Sequence, residues 1–179
     1  MSLPKRIYLT GFMAAGKSTI GQILANTVGY DFIDLDHLIV EKENLPVAEI
    51  FRIKGEAYFR DTESFWLKEV SKRENIIISL GGGTVCFNNN ITVIRQFGLL
   101  VYLRVSNRAI FQRVKAKRDR PLFLDHSGNL LPDDDIKKKI NDLLEKRNPF
   151  YEQADLIYDT FDNEIGFVVE GLKRRLVSN

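Results

Sequence analysis

The 179-residue sequence contains a single cysteine, so it can form no internal disulfide and supplies no cysteine cluster for a metal ion. Cys86 follows a glycine-rich turn, and a lone thiol is typical of a protein from a reducing compartment. No apolar run approaches the roughly 20 residues of a membrane-spanning helix. The start, MSLPKRIYLTG, lacks the form of a signal peptide. We therefore expect a cytoplasmic protein with no membrane partner.

An excess of charge of one sign is also missing. The chain has 26 Lys and Arg against 24 Asp and Glu, a formal net charge of +2 that does not favour a nucleic-acid partner. Linkers, repeats and low-complexity segments are absent from the sequence. The length suits one domain that buries its own core. We expect a single domain over residues 1–179, acting as a monomer.

Five short apolar runs alternate with longer segments of helical periodicity. The runs predict strands at Arg6–Thr10, Asp31–Ile33, Ile76–Ser79, Leu99–Arg104 and Leu156–Tyr158. The other segments predict helices at Gly16–Val28, His37–Glu43, Val47–Arg73 with a break at Gly55, Asn90–Gln96, Asn107–Lys117, Asp133–Asn148 and Asn163–Val177. Strands that alternate with helices form parallel sheets covered on both faces. The pattern predicts an α/β fold with three layers, α/β/α, around a five-stranded parallel sheet.

The stretch GFMAAGKST, Gly11–Thr19, follows the first strand and has the form G-x-x-x-x-G-K-S. In such a loop the backbone N–H groups surround a nucleotide phosphate, the lysine (Lys17) reaches the β- and γ-phosphates, and the serine (Ser18) binds Mg²⁺. Ala14 and Ala15 stand where many such loops carry another glycine, which tolerates more backbone angles. The order strand, loop, helix favours phosphate binding over a chance Lys-Ser in a turn.

Two acids, Asp34 and Asp36, follow the second strand. On extended backbone their side chains would point to opposite sides, but a turn at the carboxyl end of the strand could aim both at a ligand. One could then serve a metal ion and the other an acceptor hydroxyl. The alternative is that the pair merely caps the helix expected to begin at His37. The residues alone leave both interpretations open.

Further motifs follow in a fixed order. IFRIKGEAYFRDTE carries Arg60, SLGGGT ends the third strand, RDRPLF carries Arg120, and KRNPFY places Arg147 before an expected helix break at Pro149. RDRPLF lies in the longest irregular segment, residues 118–132, whose length and composition are typical of a functional lid. The ordered set of P-loop, D-x-D, G-E-x-x-F-R-x-x-E, G-G-G, R-P-L and R-x-P-x-Y resembles the shikimate kinase family over about four-fifths of the chain.

The resemblance implies a P-loop fold like that of the nucleoside monophosphate kinases. It also implies phosphorylation of the 3-hydroxyl of shikimate by ATP with Mg²⁺, giving shikimate 3-phosphate for aromatic amino acid biosynthesis. The implied nucleotide-binding residues are Ala14, Ala15, Gly16, Lys17, Ser18, Thr19, Arg113 and Arg120. The implied metal-binding residues are Ser18 and Asp34. The implied substrate-binding residues are Asp36, Arg60, Gly81, Gly82, Gly83 and Arg147. The implied catalytic residues are Lys17, Asp36 and Arg120.

The chemistry suits these residue types. Shikimate carries one carboxylate, which a planar guanidinium binds through two parallel hydrogen bonds, so Arg60 and Arg147 together can orient the ring. Asp36 can accept the proton of the attacking hydroxyl. Phosphoryl transfer depends mainly on positioning and on charge neutralisation, for which Lys17 and Arg120 are suited.

The sequence departs from the family pattern in two places. DHSGNLLP lengthens the lid segment, and DTFDNEIG after the last strand lacks the usual adenine-loop pattern. Two alternatives remain. A gluconate kinase would share the P-loop and lid but act on a linear sugar acid, and the two carboxylate-binding arginines argue against it. A nucleotide-binding module without turnover is the other alternative, and the retained Lys17, Asp34 and Asp36 argue against that.

Overall fold

The computed structural model describes residues 3–117, 121–160 and 163–178. Within these residues the strands are β1 (Arg6–Thr10), β2 (Asp31–Asp34), β3 (Ile76–Ser79), β4 (Leu99–Arg104) and β5 (Leu156–Asp159). The α-helices are α1 (Lys17–Val28), α2 (Leu35–Glu43), α3 (Val47–Val70), α4 (Asn90–Phe97), α5 (Asn107–Ala116), α6 (Asp133–Tyr151) and α7 (Ile165–Ser178). Every predicted strand and helix is present. None of the helices in the described ranges is long and apolar enough to cross a membrane.

The strands form one parallel sheet in the order β2-β3-β1-β4-β5. Ser79, the last residue of β3, pairs with Leu9 of β1 on one side and with Asp34 of β2 on the other. Parallel strands end at the same edge of a sheet, which is where ligands bind in open α/β folds. The segments that follow β1, β2 and β3 therefore meet at this edge, and they are the P-loop, the D-x-D pair and the three glycines.

Side chains of the strands alternate between two apolar cores, one on each face of the sheet. In β1, Tyr8 packs into the larger core, whereas Ile7 and Leu9 pack into the smaller one. Residues of α2 to α6 close the larger core, and residues of α1 and α7 close the smaller. Because both faces are covered, a strand such as β3 can be apolar on both sides. The predicted three-layer α/β/α fold with a five-stranded parallel sheet is confirmed.

Several predicted helix ends differ from the structure by one to three residues, and two of these differences have a clear physical cause. The helix expected from His37 begins at Leu35, because the side chain of Asp34 caps it by accepting a hydrogen bond from the backbone N–H of His37. The break expected at Pro149 does not occur, since α6 continues to Tyr151. A proline removes one backbone hydrogen bond from a helix, but Pro149 lies in the last turn, where few further bonds depend on it.

The break predicted at Gly55 is present. Its φ of 85° and ψ of 165° are non-helical within α3, and these backbone angles are essentially confined to glycine. The break separates residues 47–54 from the part of α3 that carries Arg60 and Glu63. The two parts of the helix can therefore run in different directions.

The segment 118–132 is described from residue 121 onward. Arg120, at its beginning, lies outside the described residues. In the rest of the segment, the side chain of Asp125 accepts two backbone hydrogen bonds from its own turn, both of 2.8 Å. Phe123 is fully buried, and burial of such a side chain contributes about 1.5–3 kcal/mol. The described part of the segment is therefore anchored to the core.

Candidate active site

The P-loop connects β1 to α1 at the carboxyl edge of the sheet. Gly16 caps α1 with a φ of 90°, and Ala14 has a φ of 62°, a left-handed conformation that is uncommon for alanine. The loop thus adopts at Ala14 the backbone that a glycine would take. The N–H groups at the start of α1, together with the helix dipole, suit this turn to a phosphate group.

We expect Ala14→Gly to raise the free energy of unfolding by up to about 1.5 kcal/mol. A left-handed residue with a Cβ costs roughly 1–2 kcal/mol, whereas the flexibility of glycine in the unfolded chain costs about 0.4–1 kcal/mol. The matched control is Ala15→Gly. Ala15 is 1% exposed and has no positive φ, so glycine there removes packing without relieving strain. Urea unfolding curves measure both variants, and equal destabilisation of the two would contradict the prediction.

Lys17 is held across the P-loop. Its ammonium nitrogen donates hydrogen bonds to the carbonyl oxygens of Gly11 at 2.9 Å and Phe12 at 3.1 Å, and the residue is only 8% exposed. These contacts fix a positive charge at the mouth of the loop. The terminal phosphates of a nucleotide bound by such a loop would lie there.

Ser18 and Asp34 bring the P-loop and the second strand together. The Ser18 hydroxyl donates to Asp34 Oδ2 at 2.5 Å, and Asp34 Oδ1 accepts from the backbone N–H of His37 at 3.2 Å. The sequence left open whether the D-x-D pair caps a helix or serves the site. Asp34 both caps α2 and lies against the P-loop serine.

The oxygens of Ser18 and Asp34 fit a magnesium ion that arrives with a nucleotide. Across residues 3–117, 121–160 and 163–178, no group of three or more His, Cys, Asp or Glu side chains could hold a metal ion by itself. Mg²⁺ is usually bound through one or two protein oxygens together with phosphate oxygens and water. A hydroxyl and a carboxylate beside the phosphate loop match that requirement.

Asp36 lies in the first turn of α2, between charges from two parts of the fold. Burial raises the pKa of its carboxyl group and the negative charge of Asp34 raises it further, while the positive charges of Lys17 and Arg60 lower it. One carboxylate therefore interacts with both the P-loop lysine and an arginine of α3. A carboxylate with a raised pKa is a stronger base than an ordinary aspartate, which suits the acceptance of a proton.

The three glycines after β3, Gly81–Gly83, each lie against a different charged side chain. A Cβ on the first would lie 2.7 Å from Asp36 Oδ1, and a Cβ on the second would lie 3.2 Å from Arg147 Nη1. A Cβ on the third would lie 2.9 Å from Arg60 Nη2. Because these residues lack side chains, all three charged groups can approach one short turn. We call this turn the glycine wall.

Arg60 and Glu63 lie one turn apart on α3 and form an ion pair beside the glycine wall. Arg60 Nη1 donates to Glu63 Oε2 at 2.9 Å, and Thr84 Oγ1 donates to Glu63 Oε1 at 2.5 Å. Burial raises the pKa of Glu63, while the hydrogen bond from Thr84 and the charge of Arg60 lower it. No role was predicted for Glu63 from the sequence, although it is the last residue of G-E-x-x-F-R-x-x-E. In the structure Glu63 is fully buried and orients the Arg60 guanidinium by accepting its hydrogen bond.

Arg147 reaches the glycine wall from α6. Its guanidinium carbon lies 5.8 Å from the ring centroid of Phe12 in the P-loop. Burial raises the pKa of the Cys86 thiol, and the positive charges of Arg147 and Arg60 both lower it. The two arginines that were predicted to bind one carboxylate therefore act on the same thiol and border the same turn.

A cavity of about 530 Å³ opens over the P-loop. Its lining includes the described residues that were predicted to bind nucleotide, namely Ala14, Ala15, Gly16, Lys17, Ser18, Thr19 and Arg113. Asp34 and Asp36 also line it, and Arg113 Nη1 donates to the carbonyl oxygen of Ala14 at 3.1 Å. The site thus combines P-loop, D-x-D pair and α5 around one cavity.

One side of this cavity is formed by residues that were not predicted from the sequence to belong to the site. Thr160, Asn163, Ile165 and Val168 also line it, although DTFDNEIG gave no recognisable pattern. These residues join β5 to the first turn of α7, which packs beside α1. Their approach to the P-loop depends on that packing and leaves no local signal in the sequence.

Comparison with known proteins adds independent information. The profile of the family described as "Shikimate kinase" matches residues 13–176. A shikimate kinase of Chloroherpeton thalassium is 40% identical over 176 residues, which cover 98% of this chain and 94% of the relative. The structure of shikimate kinase from Bacteroides thetaiotaomicron matches with a TM-score of 0.90 and 37% identity, covering 97% of this chain and 98% of that chain. Shikimate kinase from Acinetobacter baumannii in complex with shikimate matches with a TM-score of 0.87 and 31% identity, covering 98% and 94%.

Proposed function

The chain belongs to the shikimate kinase family, and we propose how its residues divide the transfer of phosphate from ATP to shikimate. The protein is a kinase that phosphorylates the 3-hydroxyl of shikimate, an alcohol-group acceptor, to give shikimate 3-phosphate. The position of Asp36 carries the proposed division. This carboxylate lies beside Gly81 and interacts electrostatically with both Lys17 of the P-loop and Arg60 of α3, so a nucleotide side and an acceptor side meet at it.

On the nucleotide side, the P-loop holds the phosphates of ATP, and Lys17 stabilises the negative charge of the transferred phosphoryl group. Ser18 and Asp34 would hold Mg²⁺, which when bound neutralises phosphate charge. Arg113 borders the same cavity and contributes to nucleotide binding. Arg120 lies outside the described residues, and its role as a cation that neutralises phosphate charge stays a prediction of the sequence.

On the acceptor side, Arg60 and Arg147 bind the shikimate carboxylate against the glycine wall. One edge of the Arg60 guanidinium, formed by Nε and Nη2, is already occupied. Both nitrogens donate hydrogen bonds to Glu56 Oε1, at 3.3 and 3.2 Å. The end of the guanidinium that carries Nη1 and Nη2 packs against Gly83, which it can approach because this residue has no Cβ, and Nη1 also donates to Glu63. We place the substrate carboxylate at that end. Asp36 then accepts the proton of the attacking hydroxyl.

The wider context follows from the same proposal. The proposed ligands of the single kinase domain are ATP and shikimate, with Mg²⁺ as its metal ion, and the monomeric state stays a prediction of the sequence. The mild net charge of +2 supports the absence of a nucleic-acid partner. A location in the cytoplasm stays a prediction of the sequence.

A coupled assay of ADP release tests the function directly. With Mg²⁺ and ATP, ADP is expected to form when shikimate is added and to stay at the background rate when gluconate is added. Turnover of gluconate instead would identify a sugar-acid kinase. Binding of ATP without turnover of either acid would identify a nucleotide-binding module.

Arg60→Lys tests the acceptor side. Lysine keeps the charge but offers no planar pair of donors, so the KM for shikimate is expected to rise about ten- to a hundredfold. The KM for ATP should change little. Arg52→Lys, on the same helix with its side chain 68% exposed, is the matched control and should leave both values unchanged. Steady-state kinetics with each substrate varied gives the answer, and a raised ATP KM with an unchanged shikimate KM would overturn the assignment.

A further inference from the structure

Three aromatic rings surround the Arg60 guanidinium, and one of them is much closer than the others. Its Cζ lies 4.1 Å from the ring centroid of Phe87, compared with 5.3 Å for Phe59 and 5.7 Å for Phe51. At 4.1 Å the cation lies over the face of the ring, since an edge-on contact would place the centroid farther away. Of the three rings, Phe87 therefore packs most closely against the guanidinium.

The remaining contacts of the guanidinium lie at its edges. Glu56 occupies the edge formed by Nε and Nη2, and Glu63 accepts from Nη1. These carboxylates act within the plane of the group but leave it able to tilt about the line that joins them. Since those carboxylates occupy the edges, a ring packed as closely as Phe87 restrains this tilt. The contacts with Glu56, Glu63 and Phe87 together define the direction in which Nη1 and Nη2 point beside Gly83.

Phe87 is itself tied to the backbone that carries Arg60. The side-chain amide of the next residue, Asn88, donates to the carbonyl oxygen of Arg60 at 3.2 Å and to Ser64 Oγ at 3.1 Å. Asn88 adopts a left-handed φ of 50°, which turns the chain at this point. The segment that carries the ring is therefore hydrogen-bonded to the part of α3 that carries the cation.

We propose that Phe87 is a positioning residue for shikimate, whose ring fixes the plane of the Arg60 guanidinium so that it meets the substrate carboxylate. This inference rests on the proposed role of Arg60. Phe87 acts through Arg60, so its loss should affect the binding of shikimate and leave ATP binding and the chemical step nearly unchanged. A guanidinium needs this restraint because its donors are directional, whereas an ammonium has no plane to orient.

The test compares Phe87→Leu with Phe87→Tyr and with Phe97→Leu. Phe97 is a matched control because it is 38% exposed, against 37% for Phe87, and also lies near an arginine, with Arg6 Cζ 5.7 Å from its ring centroid. Phe87→Leu is expected to raise the shikimate KM about three- to fivefold, the size of a partly exposed cation–π contact. Phe87→Tyr, which keeps the ring face, and Phe97→Leu should stay near the wild-type value.

The same substitution in the Arg60→Lys background separates this inference from the proposed function. If Phe87 acts through the guanidinium plane, Phe87→Leu should add less than about a twofold change when residue 60 is lysine. Three results would overturn the role of Phe87. They are a rise of equal size in the shikimate KM in both backgrounds, an unchanged shikimate KM in Phe87→Leu alone, and a fall in kcat when both substrates are saturating. If Arg60→Lys itself leaves the shikimate KM unchanged, the proposed role of Arg60 fails instead. Thermal unfolding of each variant checks that the fold is retained.

Discussion

Lys17→Ala is expected to lower kcat by about 100- to 1000-fold while the protein stays folded. The ammonium lies at the mouth of the P-loop, held by the carbonyl oxygens of Gly11 and Phe12, so its charge is in place before the phosphoryl group moves. A preset charge in a site shielded from water stabilises the transition state more than a mobile one does. Loss of the side chain therefore falls mainly on the rate of transfer.

The matched control for Lys17 is Lys72→Ala. The Lys72 side chain is 66% exposed and pairs with Glu69 at the surface, so its removal should leave kcat unchanged. Circular dichroism and thermal unfolding establish that both variants are folded. Wild-type turnover by a folded Lys17→Ala protein would rule out the assignment of the P-loop lysine.

Asp36→Asn is expected to reduce kcat by about 100- to 10,000-fold, because it removes the proton acceptor while keeping the shape of the side chain. Affinity for ATP should remain within about twofold of the wild type, since the P-loop and Ser18 are untouched. Burial and the negative charge of Asp34 raise the pKa of the Asp36 carboxyl group. As the pH of the assay is lowered, the kcat/KM of the wild type should therefore begin to fall at a higher pH than it would with an ordinary aspartate as the base. Titration with ATP and steady-state kinetics across pH measure these effects.

Two further variants define the role of Asp36. Asp34→Asn should raise the concentration of Mg²⁺ that is needed for activity, because it removes the carboxylate beside Ser18. Asp31→Asn, at the exposed start of the same strand, should have no effect beyond the loss of its surface pair with Arg73. If Asp36→Asn loses ATP binding and keeps shikimate binding, the roles of Asp34 and Asp36 are exchanged.

Local features were predicted well from the sequence. The runs Arg6–Thr10, Ile76–Ser79 and Leu99–Arg104 form strands with the predicted bounds, because buried parallel strands need continuous apolar residues. The break at Gly55 was also predicted, since its backbone angles are accessible to glycine. The expected break at Pro149 was wrong because the packing of α6 up to Tyr151 outweighs the loss of one hydrogen bond.

The site was predicted only in part. Ser18 and Asp34 were expected near a metal ion, and the hydrogen bond between them places the two oxygens together. Glu63 was overlooked, although its motif was recognised, because a glutamate on a helix is usually exposed. Its burial depends on Thr84, 21 residues later, which donates to it only after α3 packs beside the glycine wall.

The sequence by itself determined the order of strands and helices, the phosphate loop and the family, since each depends on neighbouring residues or on motifs in a fixed order. Only the tertiary structure decided which side chains share a space. It packed the ring of Phe87 against the Arg60 guanidinium, and it placed Asn163 and Ile165 beside the P-loop. These contacts join segments far apart in the chain, and they depend on the directions in which packed helices present their side chains, which local sequence patterns do not specify.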